Sequence, residues 1–134
     1  MKIKLLALSA VLSMIAGCAA PPPKSGLADL LERPSERALV EGIRAYDDGN
    51  YPAAETALRR ALDASPNGGL QSGRDRATAY KLLAFITCTS ERIPECEDSF
   101  RAARQADPAF ALSRAETGHP LWGPVYRKVL PPTS

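Results

Sequence analysis

Three cysteines and a single histidine are the residues here whose types could support covalent, redox or metal chemistry. Cys88 and Cys96 are separated too widely for the C-x-x-C arrangement of a redox-cycling dithiol. His119 sits in Gly118-His119-Pro120 with no second histidine or cysteine cluster to complete a ligand set, so it reads as a turn residue. No G-x-S-x-G or H-E-x-x-H occurs, and the glycines after Asn67 lack the Lys-Ser/Thr that completes a phosphate-cradling loop. Asp47-Asp48 and Glu95 with Glu97 fit solvated helix ends. The expectation is a protein that is not an enzyme and that uses no metal, no cofactor and no small-molecule substrate.

Length and charge narrow the rest. A chain of 134 residues holds one small domain, and 45% apolar with 24% charged residues suits a globular chain rather than a disordered one. Seventeen basic against fifteen acidic residues make no basic stripe for nucleic acid, and 6% aromatics give few platforms for stacking on bases.

The third cysteine closes a leader. Lys2 and Lys4 precede an apolar run, Leu5 to Met14, which has signal-peptide length and falls short of the roughly 20 residues that span a bilayer. Ile15-Ala16-Gly17-Cys18 resembles the bacterial lipobox, with Ile15 where Leu is usual. The resemblance implies cleavage after residue 17, a diacylglycerol thioether on Cys18 and an N-linked acyl chain such as palmitate. The alternative is an ordinary signal peptide cut near Ala20, or an uncleaved anchor. Ala19, rather than Asp, after the lipidated cysteine implies an outer-membrane lipoprotein facing the periplasm. Removing the leader takes away Lys2 and Lys4, leaving fifteen basic and fifteen acidic residues. Residues 18–34, with Pro21-Pro22-Pro23, read as a short, partly extended tether.

The elements that position the remaining residues come from an internal repeat. At one constant offset, Pro52 pairs with Pro94, Ala54 with Cys96, Leu58 with Phe100, Ala61 with Ala103, Pro66 with Pro108 and Gly42 with Ala84. Each unit reads as a helical hairpin. Leu39, Val40, Ile43 and Tyr46 lie at helical spacing after Ser35, an N-cap candidate, and Gly49-Asn50 marks a turn. The second helix spans Tyr51 to Ala64, with Pro52 in its first turn. Asp75 to Thr89 and Pro94 to Ala106 repeat the plan. Cys88 and Cys96 then fall across one hairpin, and an oxidising compartment favours their disulfide. Two buried free thiols are the alternative.

These residues resemble the tetratricopeptide repeat, W-x2-L-G-x2-Y…A-x3-F-x2-A…P. Unit two reads Tyr80, Leu83, Ala84, Thr87, Cys96, Phe100, Ala103, Pro108; unit one reads Ala38, Glu41, Gly42, Ala45, Ala54, Leu58, Ala61, Pro66. Glu41 departs from the expected Leu, and the period exceeds the usual one of about 34 residues through the Gly-rich stretch 67–74. The expected fold is all-α: two repeat-like hairpins and a C-terminal helical cap over 35–130, then a tail at 131–134; a generic four-helix bundle built from much the same hairpins is the alternative. A short helix near Ala111 to Glu116 and another from Pro124 would form the cap. The resemblance implies a partner-binding groove lined by Leu39, Ile43, Tyr46 and Asp47 of unit one and Thr78, Lys81, Phe85 and Thr89 of unit two. The alternative is that Phe110, Leu112 or Trp122 fills that groove from the same chain.

The ending Glu116-x-Gly118-His119-Pro120-x-Trp122-Gly123-Pro124-Val125-Tyr126, with the lipobox and the cysteine pair, resembles the TssQ-like lipoproteins associated with type VI secretion clusters. That resemblance implies an accessory adaptor docking a protein of the envelope or secretion apparatus. A pilot lipoprotein for another envelope complex, or a regulator of a peptidoglycan enzyme, is the alternative role.

Overall fold

The computed structural model describes residues 33–63 and 69–131. The leader, Cys18, the tether through residue 32, Ala64, Pro66 and residues 132–134 lie outside the described residues. Those that are described form six helices and no strand: α1 (Pro34–Asp47), α2 (Tyr51–Leu62), α3 (Gly73–Thr89), α4 (Ile93–Ala106), α5 (Arg114–Thr117) and α6 (Trp122–Val129). None of these is long and apolar enough to cross a membrane.

Helix ends follow local chemistry, and several differ from the sequence expectation. Pro34 opens α1, where its missing N–H is no loss, so Arg33 is the cap residue. Ser35 therefore lies inside the first turn and donates to Glu36 Oε2 at 2.9 Å. Helix α3 starts two residues before Asp75 because the Ser72 hydroxyl accepts the Asp75 N–H. Helix α5 starts at Arg114, not Ala111: Ser113 and Glu116 form a reciprocal capping box. Helix α6 begins at Trp122, two residues before Pro124, which falls in the first turn and breaks no helical hydrogen bond.

The two hairpin turns make the same backbone hydrogen bonds. Gly49 N–H reaches Tyr46 O and Asn50 N–H reaches Ala45 O; at the matching places of the second unit, Glu91 reaches Cys88 O and Arg92 reaches Thr87 O. This is the Schellman pattern, in which a left-handed residue lets the chain reverse and cover the last carbonyls. Gly49 holds that position at φ +73° and Glu91 at φ +61°.

Small residues let the helices close up. Ala54, Ala61, Ala84, Cys96 and Ala103 are fully buried around Leu58 and Phe100. At Gly42 a Cβ would come within 2.7 Å of Leu58 Cγ, so the Leu58 side chain of α2 packs directly on the α1 backbone there. Cys88 and Cys96 are bonded, with Cα atoms 5.2 Å apart, tying α3 to α4. Residues 82–88 of α3 are buried without interruption. Its neighbours explain this: α3 packs against α1, α2, α4 and α6 and is the central helix. Thr87, wholly buried there, donates to Leu83 O and Ala84 O. The packing also repeats: α6 lies on α4 and α3 as α3 lies on α2 and α1.

Candidate functional site

The groove residues predicted from sequence fall into two groups. Leu39 is buried in the core, with Ile43 and Tyr46 half-buried against it. Asp47 is exposed at the end of α1. The Tyr46 ring contacts Tyr51 at 5.5 Å and Phe85 of α3 at 6.5 Å between centroids, so Tyr46 and Phe85 share one surface. Burial raises the Tyr46 hydroxyl above its ordinary pKa, and the neighbouring Tyr51, Asp47 and Glu116 push the same way.

On α3, Phe85 is 4% exposed, and what covers it is the chain's own C-terminal segment. Trp122 stacks on Phe85 with centroids 4.2 Å apart, and His119 stacks on the other side of the indole. Lys81 Nζ meets Glu116 Oε1 at 2.7 Å, each side chain about one quarter exposed at 27%. The Trp122 indole N–H donates to Glu116 O at 2.9 Å, so the residue that pairs with Lys81 also orients the ring on Phe85. Burial pushes the Glu116 carboxyl up, but bonds from Lys81 and from the Ser113 backbone and hydroxyl outweigh it, and the net pKa lies below the ordinary value.

Of the three residues that could have filled the groove, Trp122 covers Phe85 and Phe110 lies beside Thr78 and Lys81. Phe110 and Leu112 also meet Tyr126 in the core. The Tyr126 ring stands edge-on to Phe100 and Phe110, and its hydroxyl accepts the Leu112 N–H at 3.2 Å. Thr78 lies beside Lys81 in a shallow hollow with Arg74, Asp107 and Phe110. Thr89 is exposed and donates back to Phe85 O and Ile86 O, so it belongs to the helix end. The structure thus brings Tyr46, Lys81 and Phe85 together and sets Asp47 and Thr89 at helix ends.

Glu116 and His119 are the residues that sequence reasoning left out of this site. The S-x-x-E spacing of Ser113 and Glu116 was a readable capping signal, but their position against Lys81 is a tertiary contact with no local trace.

A second polar constellation joins the two units on the α2 and α4 side. Arg92 grips Glu55 with both terminal nitrogens, at 2.6 and 3.0 Å. Arg59 bridges Glu55 at 2.7 Å and Glu95 at 2.9 Å. The Arg92 hydrogen bonds hold the Glu55 carboxyl below the ordinary range, burial opposes them, and Arg59 adds to the lowering. On the outer face of the first hairpin, Glu41 pairs with Arg60. The departure at Glu41 is thereby explained: its counterpart Leu83 is buried facing α2, whereas no described helix packs over Glu41.

No group of three metal-ligating side chains occurs among the described residues. Compared with models of known families, with curated proteins and with solved structures, the chain matches none.

Proposed function

We propose that this is a non-enzymatic adaptor: two tetratricopeptide-type units, held to the outer membrane through a lipidated Cys18 and facing the periplasm, that dock a protein of the secretion apparatus as an accessory of type VI secretion. The observation that carries the repeat reading is the equivalence of the two hairpins. Their turns share one hydrogen-bond pattern at the offset that relates Pro52 to Pro94, and α6 takes toward the second hairpin the place that α3 takes toward the first. Helices stacked in this way form a scaffold that presents surface to other proteins. The Cys88–Cys96 bond suits an oxidising compartment. The anchor and the secretion assignment rest on the sequence resemblances.

Two measurements test the reading. Labelled palmitate should enter the wild-type protein and not Cys18→Ser, and cell fractionation should move the variant out of the membrane pellet. Crosslinking in intact cells, followed by mass spectrometry, should recover a stoichiometric partner from the secretion membrane complex. Labelling that persists in Cys18→Ser removes the anchor, and recovery of only a peptidoglycan enzyme favours the regulator role.

A further inference from the structure

The segment 113–122 lies on α3 like a ligand, and its attachment is uneven. Both of its flanks are fixed: Leu112 is buried and hydrogen-bonded to Tyr126, and Tyr126 packs between Phe100 and Phe110. Between them, α5 is a four-residue helix with no buried residue. Leu121 is among the most exposed apolar side chains described, at 51%. The segment meets α3 chiefly at two points, Glu116 on Lys81 and Trp122 on Phe85. A short, solvent-exposed stretch between two buried anchors is the type of element that opens locally without global unfolding.

We infer that segment 113–122 is a displaceable latch, and that the surface beneath it takes a segment of another protein offering a carboxylate to Lys81 and an aromatic ring to Phe85. The chemistry of the occupant follows from what departure of the latch would expose. Lys81, about three-quarters covered, would lose its counter-ion, and its Nζ lies 5.8 Å from the Phe85 ring centroid. Phe85 would lose its stacked indole, while Tyr46 remains alongside as a second aromatic wall. A cation beside two rings is complementary to an acidic residue followed by an aromatic one. Exchange of this segment between two copies is disfavoured, because Tyr126 and Leu112 hold both flanks to their own core. This inference rests on the adaptor reading only for the existence of a partner. The test below needs neither the lipid nor the secretion apparatus, so either can fail alone.

The probe is a fluorescent peptide of residues 113–122 itself, titrated into the full chain in detergent. In the wild type the tethered latch competes, which reduces apparent affinity by the open fraction. Glu116→Lys sets two cations together and should open the latch, raising peptide affinity by about tenfold or more. Lys81→Glu alone, which sets two carboxylates together and so opens the latch while removing the cation, should abolish binding, and a peptide with Lys in place of its glutamate should bind neither wild type nor Glu116→Lys. If Glu116→Lys fails to fold by circular dichroism, Trp122→Ala opens the same latch from its other end. Equal binding to all folded variants, or no binding to an opened one that retains Lys81, overturns the proposal. A dimer of the opened variant by light scattering, without peptide binding, also overturns it in favour of exchange between copies.

Discussion

At equivalent places in the two units, the first hairpin has Gly42, Tyr46, Gly49 and Ala54, and the second has Ala84, Cys88, Glu91 and Cys96. The backbone barely registers the difference. Four turn hydrogen bonds, from residues 48, 49, 50 and 54 in one hairpin and 90, 91, 92 and 96 in the other, reach the same relative carbonyls. The geometry of the hairpin is therefore set by the turn and by small residues at the crossing, while the other side chains decide what each hairpin is for. The second is central: α3 is covered on several sides, a disulfide closes the hairpin, and the latch lies on it. The first has the exposed Glu41–Arg60 pair where the second has buried Leu83.

The largest effect should come from the disulfide. Replacing both Cys88 and Cys96 by Ala releases a short loop and should lower unfolding stability by about 2–3 kcal/mol, measured by denaturant titration. The matching hairpins predict more than loss. Because Tyr46 and Ala54 occupy the corresponding backbone sites, Tyr46→Cys with Ala54→Cys should close a second bridge on oxidative refolding, seen as no free thiols by mass spectrometry. Two free thiols in that variant would mean that the two turns do not superpose, and the equivalence would fail.

Next is the helix crossing. Gly42→Ala copies the second hairpin's Ala84 into the first, but the added Cβ would come 2.7–2.8 Å from Leu58 side-chain carbons. Leu58 is fully buried and has nowhere to move, so overpacking should cost about 1–2 kcal/mol despite the better helix propensity of alanine. A stability unchanged or raised in Gly42→Ala would show that the first hairpin is as open as the second at its crossing.

The contact between the hairpins titrates. Glu55 has its pKa lowered, chiefly by Arg92, so its contribution is present above the ordinary carboxylate pKa and is lost as pH falls through its depressed folded value. Below the unfolded pKa the unfolded chain binds more protons, so stability must drop with acid. Glu55→Gln should cost about 1 kcal/mol at neutral pH and nothing once the wild-type carboxyl is protonated. Thermal midpoints across pH 2–7 would check this; parallel curves for the two proteins would show that the Arg92–Glu55–Arg59 cluster does not couple the units.

Much of this plan was legible from residues. Pro52 and Pro94 placed the second helices, the paired small positions predicted close crossings, and cysteines at one hairpin's two arms predicted the bond that is observed. Legibility failed where long-range contacts decide. Leu70, in a stretch read as loop, is buried and bonded to Ala61 O. Helix α3 starts early because of a serine inside a glycine-rich stretch. Helical register puts Lys81 and Phe85 on a groove-lining face but says nothing about which distant segment covers them. Trp122 could be named as one of three candidates, but that it covers Phe85 while Phe110 and Leu112 meet Tyr126 is again a long-range contact.

The smallest effect is the cleanest, because it isolates backbone from packing. Gly49 and Glu91 share a left-handed conformation that costs an L-residue about 1–2 kcal/mol, whereas glycine tolerates it and loses about 0.5–1 kcal/mol in chain entropy. Glu91→Gly should therefore stabilise the second hairpin by about 0.5–1 kcal/mol, and Gly49→Ala should destabilise the first by about 1 kcal/mol. Beyond Gly49 and its two chain neighbours, no described heavy atom lies within 4 Å of a Cβ built there, so its loss is conformational. Equilibrium urea unfolding resolves both. Opposite signs from the two exchanges would show that one turn geometry governs both hairpins. A loss in both would mean that the Glu91 side chain supports the second turn by a contact the first does not need.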